Sequence, residues 1–341
     1  MEVRLISENQ EGQWEEYIRH NPYAIAWQSH AWRDVLSKHY QFEYYPLAAF
    51  ENTEICGVLP LYKIDTMFEK NALISVPYAV AGGIVADNDA ARSVLLDEAK
   101  KLSTRVNASK IIFKHYKQKI ESDIATDANF YNRELSLSPD PDELWHNIAD
   151  NNKISIEEAE QAKPSLEYPF ESLDMFFNLL LKHHHRMGIP CVSKKWIRSL
   201  IDSGMYSMAV LSCDSRIVAG TVVKVFKKTV SFPFTCLPSG DPEAERYACS
   251  LYWRLINYFA RQGFEIFHSG RIPRTDQVNE YRLGWGGTQY GYYYQYVPDP
   301  GIKTEFATKR GKKRQLFEKV WKRTPKPVVN VLGPRIVRHF P

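Results

Sequence analysis

The chain has 341 residues, too many for one typical core, so two domains are expected. Its 44% apolar and 25% charged content is that of a soluble globular protein. Net charge is +4, but residues 303–341 hold 12 Lys or Arg against 2 Glu, a local +10 that leaves −6 for the rest, and this split argues against a blanket nucleic-acid-binding surface. The five cysteines (Cys56, Cys191, Cys213, Cys236 and Cys249) are widely spaced, odd in number and without a CxxC pair. Neither a disulfide scaffold nor a zinc site follows from that spacing. No window approaches 18 apolar residues, and the polar N-terminus lacks an apolar signal core. A cytoplasmic location is the expectation.

In chain order, 13–20 and 29–39 read as helices, the second with Ser29 as a possible cap and Trp32, Val35 and Leu36 on one face. Alternation over 42–50 and 55–62 predicts a hairpin, and 71–76 a third strand ended by Pro77. Residues 89–106 predict an amphipathic helix capped by Asp89, and 109–115 and 130–137 two more strands. Pro139, Pro141, Pro164 and the polar run 151–160 suggest a domain boundary at 150. The second half repeats the order: helices 172–187 and 193–203, strands 205–212, 217–226 and 229–237, a helix over 247–262, then strands 264–267 and 290–296. The expected fold is α/β (α+β), two tandem domains over 1–150 and 151–300, each a mixed sheet flanked by helices, followed by a basic tail over 301–341.

Candidate function gathers between Gly263 and Tyr296. The strand end His268-Ser269-Gly270-Arg271 joins a glycine that permits close backbone approach to a guanidinium suited to carboxylate or phosphate. Two readings of Arg271 stand: an anion contact, or an ion pair with Glu265 or Asp276. The aromatics after Trp285 likewise suit either a binding groove or the packing of a sheet. The run His183-His184-His185 does not suggest a metal site, because consecutive helical side chains point about 100° apart. In the tail, Leu316, Phe317, Val320 and Trp321 share a helical face among cations. That pattern suits a helix packed back on the body or one lying on an anionic membrane surface.

The element order resembles the GNAT acyltransferase fold, and its detail resembles the FemAB-like branch with two such domains in tandem. The stretches that carry the likeness are Gly57-Val58-Leu59-Pro60-Leu61, Ser75-Val76-Pro77-Tyr78 with Gly82-Gly83-Ile84, Met187-Gly188-Ile189-Pro190, Leu251-Tyr252-Trp253, Gly270-Arg271 and Tyr281-Arg282-Leu283-Gly284-Trp285-Gly286. The tail segments Trp321-Lys322-Arg323 and Leu332-Gly333-Pro334-Arg335 are similar to a group associated with exopolysaccharide and exosortase loci. Two stretches depart from the family pattern. The linker keeps a single cation, Lys153, and the strand-end motif has His268 and Ile272 around Ser269-Gly270-Arg271.

The resemblance implies an N-acyltransferase that moves an acyl or aminoacyl group to an amine of a cell-envelope saccharide or peptidoglycan-type precursor, small or lipid-linked. The donor co-substrate would be acyl-CoA or aminoacyl-tRNA, with no bound cofactor and no metal. The alternative is a non-catalytic ligand-binding or assembly protein of an envelope polysaccharide pathway. Amine acylation needs a neutral amine aimed at the carbonyl carbon and donors for the oxyanion, expected near Phe232–Thr235, where Pro233 breaks regular pairing. The expected base is His268, with Asp276 and Glu280 as further catalytic candidates. Gly270, Arg271, Arg282 and Lys153 are expected at anionic parts of a ligand. Tyr252, Trp285, Tyr292 and Tyr293 are expected along the acceptor groove. A peripheral place at the inner membrane face is expected if the tail meets lipid.

Overall fold

The structure is a computed structural model that describes residues 1–65, 70–120, 124–238, 243–274, 282–298 and 310–341. The chain divides into two units: residues 1–130, 291–308 and 338–341, and residues 131–290 and 309–337. Residue 150 therefore falls inside the second unit.

The first unit begins with β1 (Glu2–Leu5), α1 (Glu11–His20) and α2 (His30–His39). The meander β2 (Glu43–Glu51), β3 (Glu54–Ile64) and β4 (Ala72–Ile74) follows, then the short β5 (Val85–Ala86), α3 (Asp89–Arg105) and β6 (Lys110–Tyr116). The β2–β3 turn needs a left-handed residue, and Asn52 supplies it at φ 56. Helix α3 is capped by Asn88, whose side chain accepts the Ala91 N–H, and not by Asp89; Asp89 instead occupies the first turn, where its charge faces the positive helix end. Leu95, Ala99 and Leu102 of α3 bury against Leu59, Leu73, Ile111 and Phe113 of the sheet.

The second unit contains residues of β7 (Ala125–Ser136), then α4 (Pro141–His146), α5 (Asp150–Gln161), β8 (Ser165–Glu167), α6 (Leu173–Met187) and α7 (Lys194–Asp202). Next come β9 (Tyr206–Cys213), β10 (Arg216–Phe226), β11 (Thr229–Cys236), α8 (Glu243–Arg261), β12 (Ile266–His268) and the short β13 (Ile272–Pro273). Ser193 caps α7 through the Trp196 N–H, and Gly188 ends α6 at φ 78, both as the local sequence requires. The polar run 151–160, expected as a linker, is the helix α5. It is held to α8 by Glu160, which accepts from Ser250 Oγ at 2.7 Å and Arg254 Nε at 2.9 Å. Such a long-range clamp leaves no local signature.

The two units repeat one topology. In each, two helices precede an antiparallel meander, and a helix then leads to a strand parallel to the third: β4 with β6, and β11 with β12. The closing strands do not follow chain order. The aromatic strand β14 (Thr288–Pro298), expected to end the second domain, pairs antiparallel with β6, from Tyr292↔Tyr116 to Pro298↔Lys110. The last residues of β7 pair with β12, from Glu134↔His268 to Ser136↔Ile266. Helices α9 (Arg310–Arg323) and α10 (Lys326–Val337) complete the second unit.

Candidate functional site

In the second unit β11 and β12 run together for three residues: Thr229↔Ile266, Val230↔Phe267 and Ser231↔His268. There β12 ends, while β11 continues to Cys236 along β10 alone among the described pairings. The register between β10 and β11 also slips at this point. Val222 faces Phe234 and Lys224 faces Ser231, so Phe232 and Pro233 together oppose Val223. This is a β-bulge, and the missing N–H of Pro233 is tolerated where the ladder is already broken. The expected oxyanion segment, Phe232–Thr235, therefore lies just past the point where the two parallel strands part.

A polar layer supports the bulge from behind. Thr221 Oγ1 lies 3.0 Å from Thr235 Oγ1, which lies 2.7 Å from the Tyr252 hydroxyl. The Tyr252 hydroxyl also donates to Phe232 O at 3.5 Å. Burial pushes the Tyr252 phenol above its ordinary pKa, so it stays protonated and able to donate. Around it Phe232, Phe267 and Trp285 pack with ring centroids 4.8, 6.0 and 5.8 Å from the Tyr252 ring. Tyr252 and Trp285 are each 2% exposed. They are core supports of the site rather than walls of a groove. Trp285 is held by its neighbours: Gly284 O accepts the Ala149 N–H at 2.8 Å, and a Cβ on Gly284 would meet Asn152 at 2.5 Å.

Beyond β12 the chain is pinned to β7. Ser269 donates its N–H to Arg133 O at 3.0 Å, its Oγ accepts the Arg133 N–H at 3.0 Å, and the same hydroxyl donates to Asn132 Oδ1 at 3.1 Å. Gly270 sits at φ 82 and donates its N–H to His268 Nδ1 at 3.1 Å. Arg282 donates through Nη2 to Arg271 O at 3.1 Å and Ser269 O at 3.4 Å, so its guanidinium is held against the backbone past β12. Arg271 is exposed. Asp276 and Glu280 lie outside the described residues. Lys153 is half-buried on α5 and paired with Asp150 at 3.5 Å, an ordinary i,i+3 contact. Tyr292 and Tyr293 belong to the first unit, where Tyr292 is buried against Tyr116 with centroids 5.0 Å apart. The aromatic set expected along one groove is thus shared between two units.

Cross-strand register brings together residues that linear spacing hides. Lys224, Ser231, His268 and Glu134 are successive partners across β10, β11, β12 and β7, so their side chains share one face of the sheet. The opposite face carries Val223, Val230, Phe267 and Leu135, which are core. Burial lowers the Lys224 amine to a pKa of about 7, close to working pH. In the sequence Lys224 resembles any strand lysine, a residue that normally marks a solvated face. The one available signal was its position among Val222, Val223 and Val225 in a strand otherwise apolar there.

The three consecutive histidines serve separate partners. His183 Nδ1 accepts from the Leu237 N–H at 3.2 Å and lies 2.9 Å from Arg186 Nη2; burial holds its pKa down at about 4. His185 Nε2 lies 2.9 Å from Thr324 O, and burial lowers the pKa of His184.

The first unit treats the equivalent strand parting differently. Past Ile74 the loop 75–84 fills the space beside β6. Ser75 donates its N–H to Ile112 O and accepts the Lys114 N–H at Oγ, while Gly82 and Gly83 both donate to Lys114 O at 2.9 and 2.8 Å. His115 Nε2 accepts the Ile84 N–H at 3.1 Å, and Lys114 Nζ donates to Ala79 O. Gly83 is required there, since a Cβ would sit 2.4 Å from His115 Nε2. A cleft of about 550 Å³, including its open mouth, remains beside this loop, lined by Gln28, Gly83, Arg92 and His115 among others.

No protein-family description matches the chain, and no curated protein does. Solved structures do. FemX superposes with a TM-score of 0.67 at 12% identity, over 86% of this chain and 97% of FemX. The L-PGS of Bacillus licheniformis superposes at 0.56 and 12% identity, over 97% of each chain. A tandem GNAT protein from the clavulanic acid biosynthesis pathway superposes at 0.54 and 9% identity, over 88% of this chain and all of that one. With the repeated topology described above, these likenesses show that the chain shares the fold of FemX and of that tandem GNAT protein.

Proposed function

We propose that the protein is an N-acyltransferase that moves an acyl or aminoacyl group, from acyl-CoA or an aminoacyl-tRNA, to an amine of a cell-envelope saccharide or peptidoglycan-type precursor. The observation that carries this reading is the parting of β11 from β12 at Ser231 and His268, with a bulge at Phe232–Pro233 and a row of ionisable groups on the same face. The corresponding place in the first unit is filled by its own loop, so chemistry is assigned to the second unit. An aminoacyl donor is supported by the likeness to the C-terminal domain of a putative lysylphosphatidylglycerol synthetase from Agrobacterium fabrum, whose name carries a lysyl group.

In this proposal the acceptor nitrogen attacks the carbonyl carbon and a C–N bond forms. The carbonyl oxygen takes the negative charge, the C–S or C–O bond to the donor then breaks, and the leaving group picks up a proton. Because Nδ1 of His268 already accepts from Gly270, the neutral ring carries its proton on Nε2 and serves the oxyanion as a donor. The proton lost by the acceptor amine then passes to Lys224, whose amine is partly neutral near pH 7. Glu134 stands on the far side of His268 and steadies positive charge in the row. Arg271 meets an anionic part of donor or acceptor.

A second reading, binding without turnover, is favoured by the fixed guanidinium of Arg282 and the buried rings of Tyr252 and Trp285, which leave fewer groups for a substrate. Incubating the full chain with acetyl-CoA or with aminoacyl-tRNA, in the presence of amino-sugar and peptide acceptors, separates the two. Mass spectrometry is expected to find an amide product with at least one donor. Saturable donor binding with no product in any combination would support the second reading.

A further inference from the structure

We infer that the outer face of α9 and α10 is a docking surface for an anionic lipid membrane. Both helices are anchored to the second unit by one side. Trp321, Val329 and Gly333 are buried; a Cβ on Gly333 would meet Cys191 O at 2.8 Å, and Gly188 at the end of α6 touches Glu318. His185 on α6 reaches Thr324 O at the turn between the helices. The expected packing of the tail on the body is therefore present, and it leaves the opposite side of each helix outward.

That outward side is apolar where a solvated helix is polar. Phe317 and Val320 on α9 are 38% and 59% exposed, and Val328, Val331 and Leu332 on α10 are 41%, 56% and 37% exposed. Their spacing, i,i+3 on the first helix and i,i+3,i+4 on the second, makes one stripe on each. Met187 and Ile189, on either side of Gly188, are also exposed beside α9. Lys319, Lys322 and Arg323 accompany the stripe on α9, and Lys326 and Arg335 that on α10; all five are exposed. Glu318 is the one acidic residue between 310 and 337.

The charge chooses the occupant. The segment 303–341 carries +10 while the remainder carries −6, so a second copy would set two like-charged segments face to face. An anionic lipid interface accepts apolar side chains at its acyl boundary and cations at its headgroups, which is the pattern of both helices. Neither helix is long and apolar enough to span a bilayer, so the contact lies in the plane of the surface.

The test uses the full chain in flotation with two kinds of vesicle: phosphatidylcholine alone, and phosphatidylcholine containing phosphatidylglycerol. Binding is expected only to the second, weakening as salt rises. The exposed substitutions Val331→Asp with Leu332→Asp should abolish it, and Lys322→Gln with Arg323→Gln should lower partitioning about fivefold per charge. Circular dichroism and thermal unfolding establish that the variants fold; if one does not, the salt dependence of the native chain decides. Absence of binding to anionic vesicles, or equal binding by the aspartate variants, overturns the inference. So does a dimer in light scattering that the aspartate variants dissolve while vesicles remain unbound. None of these readouts depends on turnover.

Discussion

The backbone N–H of Gly270 donates to Nδ1 of His268 across 3.1 Å, and this one bond decides which ring nitrogen holds the proton. A neutral imidazole held that way carries its proton on Nε2. It suits a developing oxyanion better than an incoming amine proton. His268→Ala is expected to lower kcat/KM by on the order of 100-fold, as loss of one oxyanion donor does. His268→Gln, which keeps a donor, should recover part of that, with little change in KM for the donor. Equal activity in the native chain and the alanine variant would remove His268 from the site.

Lys224 gives a stability signature that needs no substrate. Burial lowers its pKa in the folded protein to about 7 from an ordinary 10.5. Between those values the unfolded chain holds a proton that the folded chain has released, so stability should rise with pH from about 7 towards 10.5. Below pH 7 both states are charged, and the desolvation cost is carried in full. Lys224→Met is therefore expected to be more stable than the native chain at pH 6, by a few kcal/mol, and to lose the rise above pH 7. Urea unfolding at pH 6, 7.5 and 9 measures both. A methionine variant less stable at pH 6 would contradict the burial of an unfavourable charge.

His115 in the first unit titrates from the other end. Burial lowers its pKa to about 3, from 6.5 unfolded. The unfolded chain binds a proton as pH falls through 6.5 and the folded chain does not, so stability drops steadily from about pH 6.5 to 3. His115→Gln should flatten that decline in acid unfolding followed by tryptophan fluorescence.

Gly83→Ala places a methyl 2.4 Å from His115 Nε2. The loop that fills the strand parting in the first unit must then move, at an expected cost of about 1–3 kcal/mol in unfolding free energy. A neutral result would mean that the loop is loosely held.

Tyr252→Phe removes the hydroxyl that links Thr235 to Phe232 O behind the bulge. The half-buried Thr235 hydroxyl keeps Thr221 as partner, so the expected loss of stability is only about 1 kcal/mol. If the bulge positions the oxyanion, kcat should fall further than stability does. A double-mutant cycle with Thr235→Val is expected to couple the two sites by about 0.5–3 kcal/mol, because they share one hydrogen-bond chain.

What was written in the sequence is what neighbours in the chain decide. Ser193 and Gly188 bound helices through caps made within three residues, and the helices over 89–105 and 173–187 announce themselves by apolar spacing. The repeated order of helices and strands followed, and with it the fold. The tertiary structure decided whatever depends on partners far away in sequence. Strand 288–298 was legible as a strand, but its pairing with 110–116 was not, since alternation says nothing of which edge a strand joins. The aromatics Tyr252 and Trp285 read as groove or core until packing buried them. Residues 151–160 looked like a linker because the clamp from Arg254 to Glu160 lies some 94 positions along the chain. The row Lys224, Ser231, His268, Glu134 exists only through register, which is settled by burying Val223, Val230, Phe267 and Leu135 together on the other face; a slip of one residue would send the charges into the core.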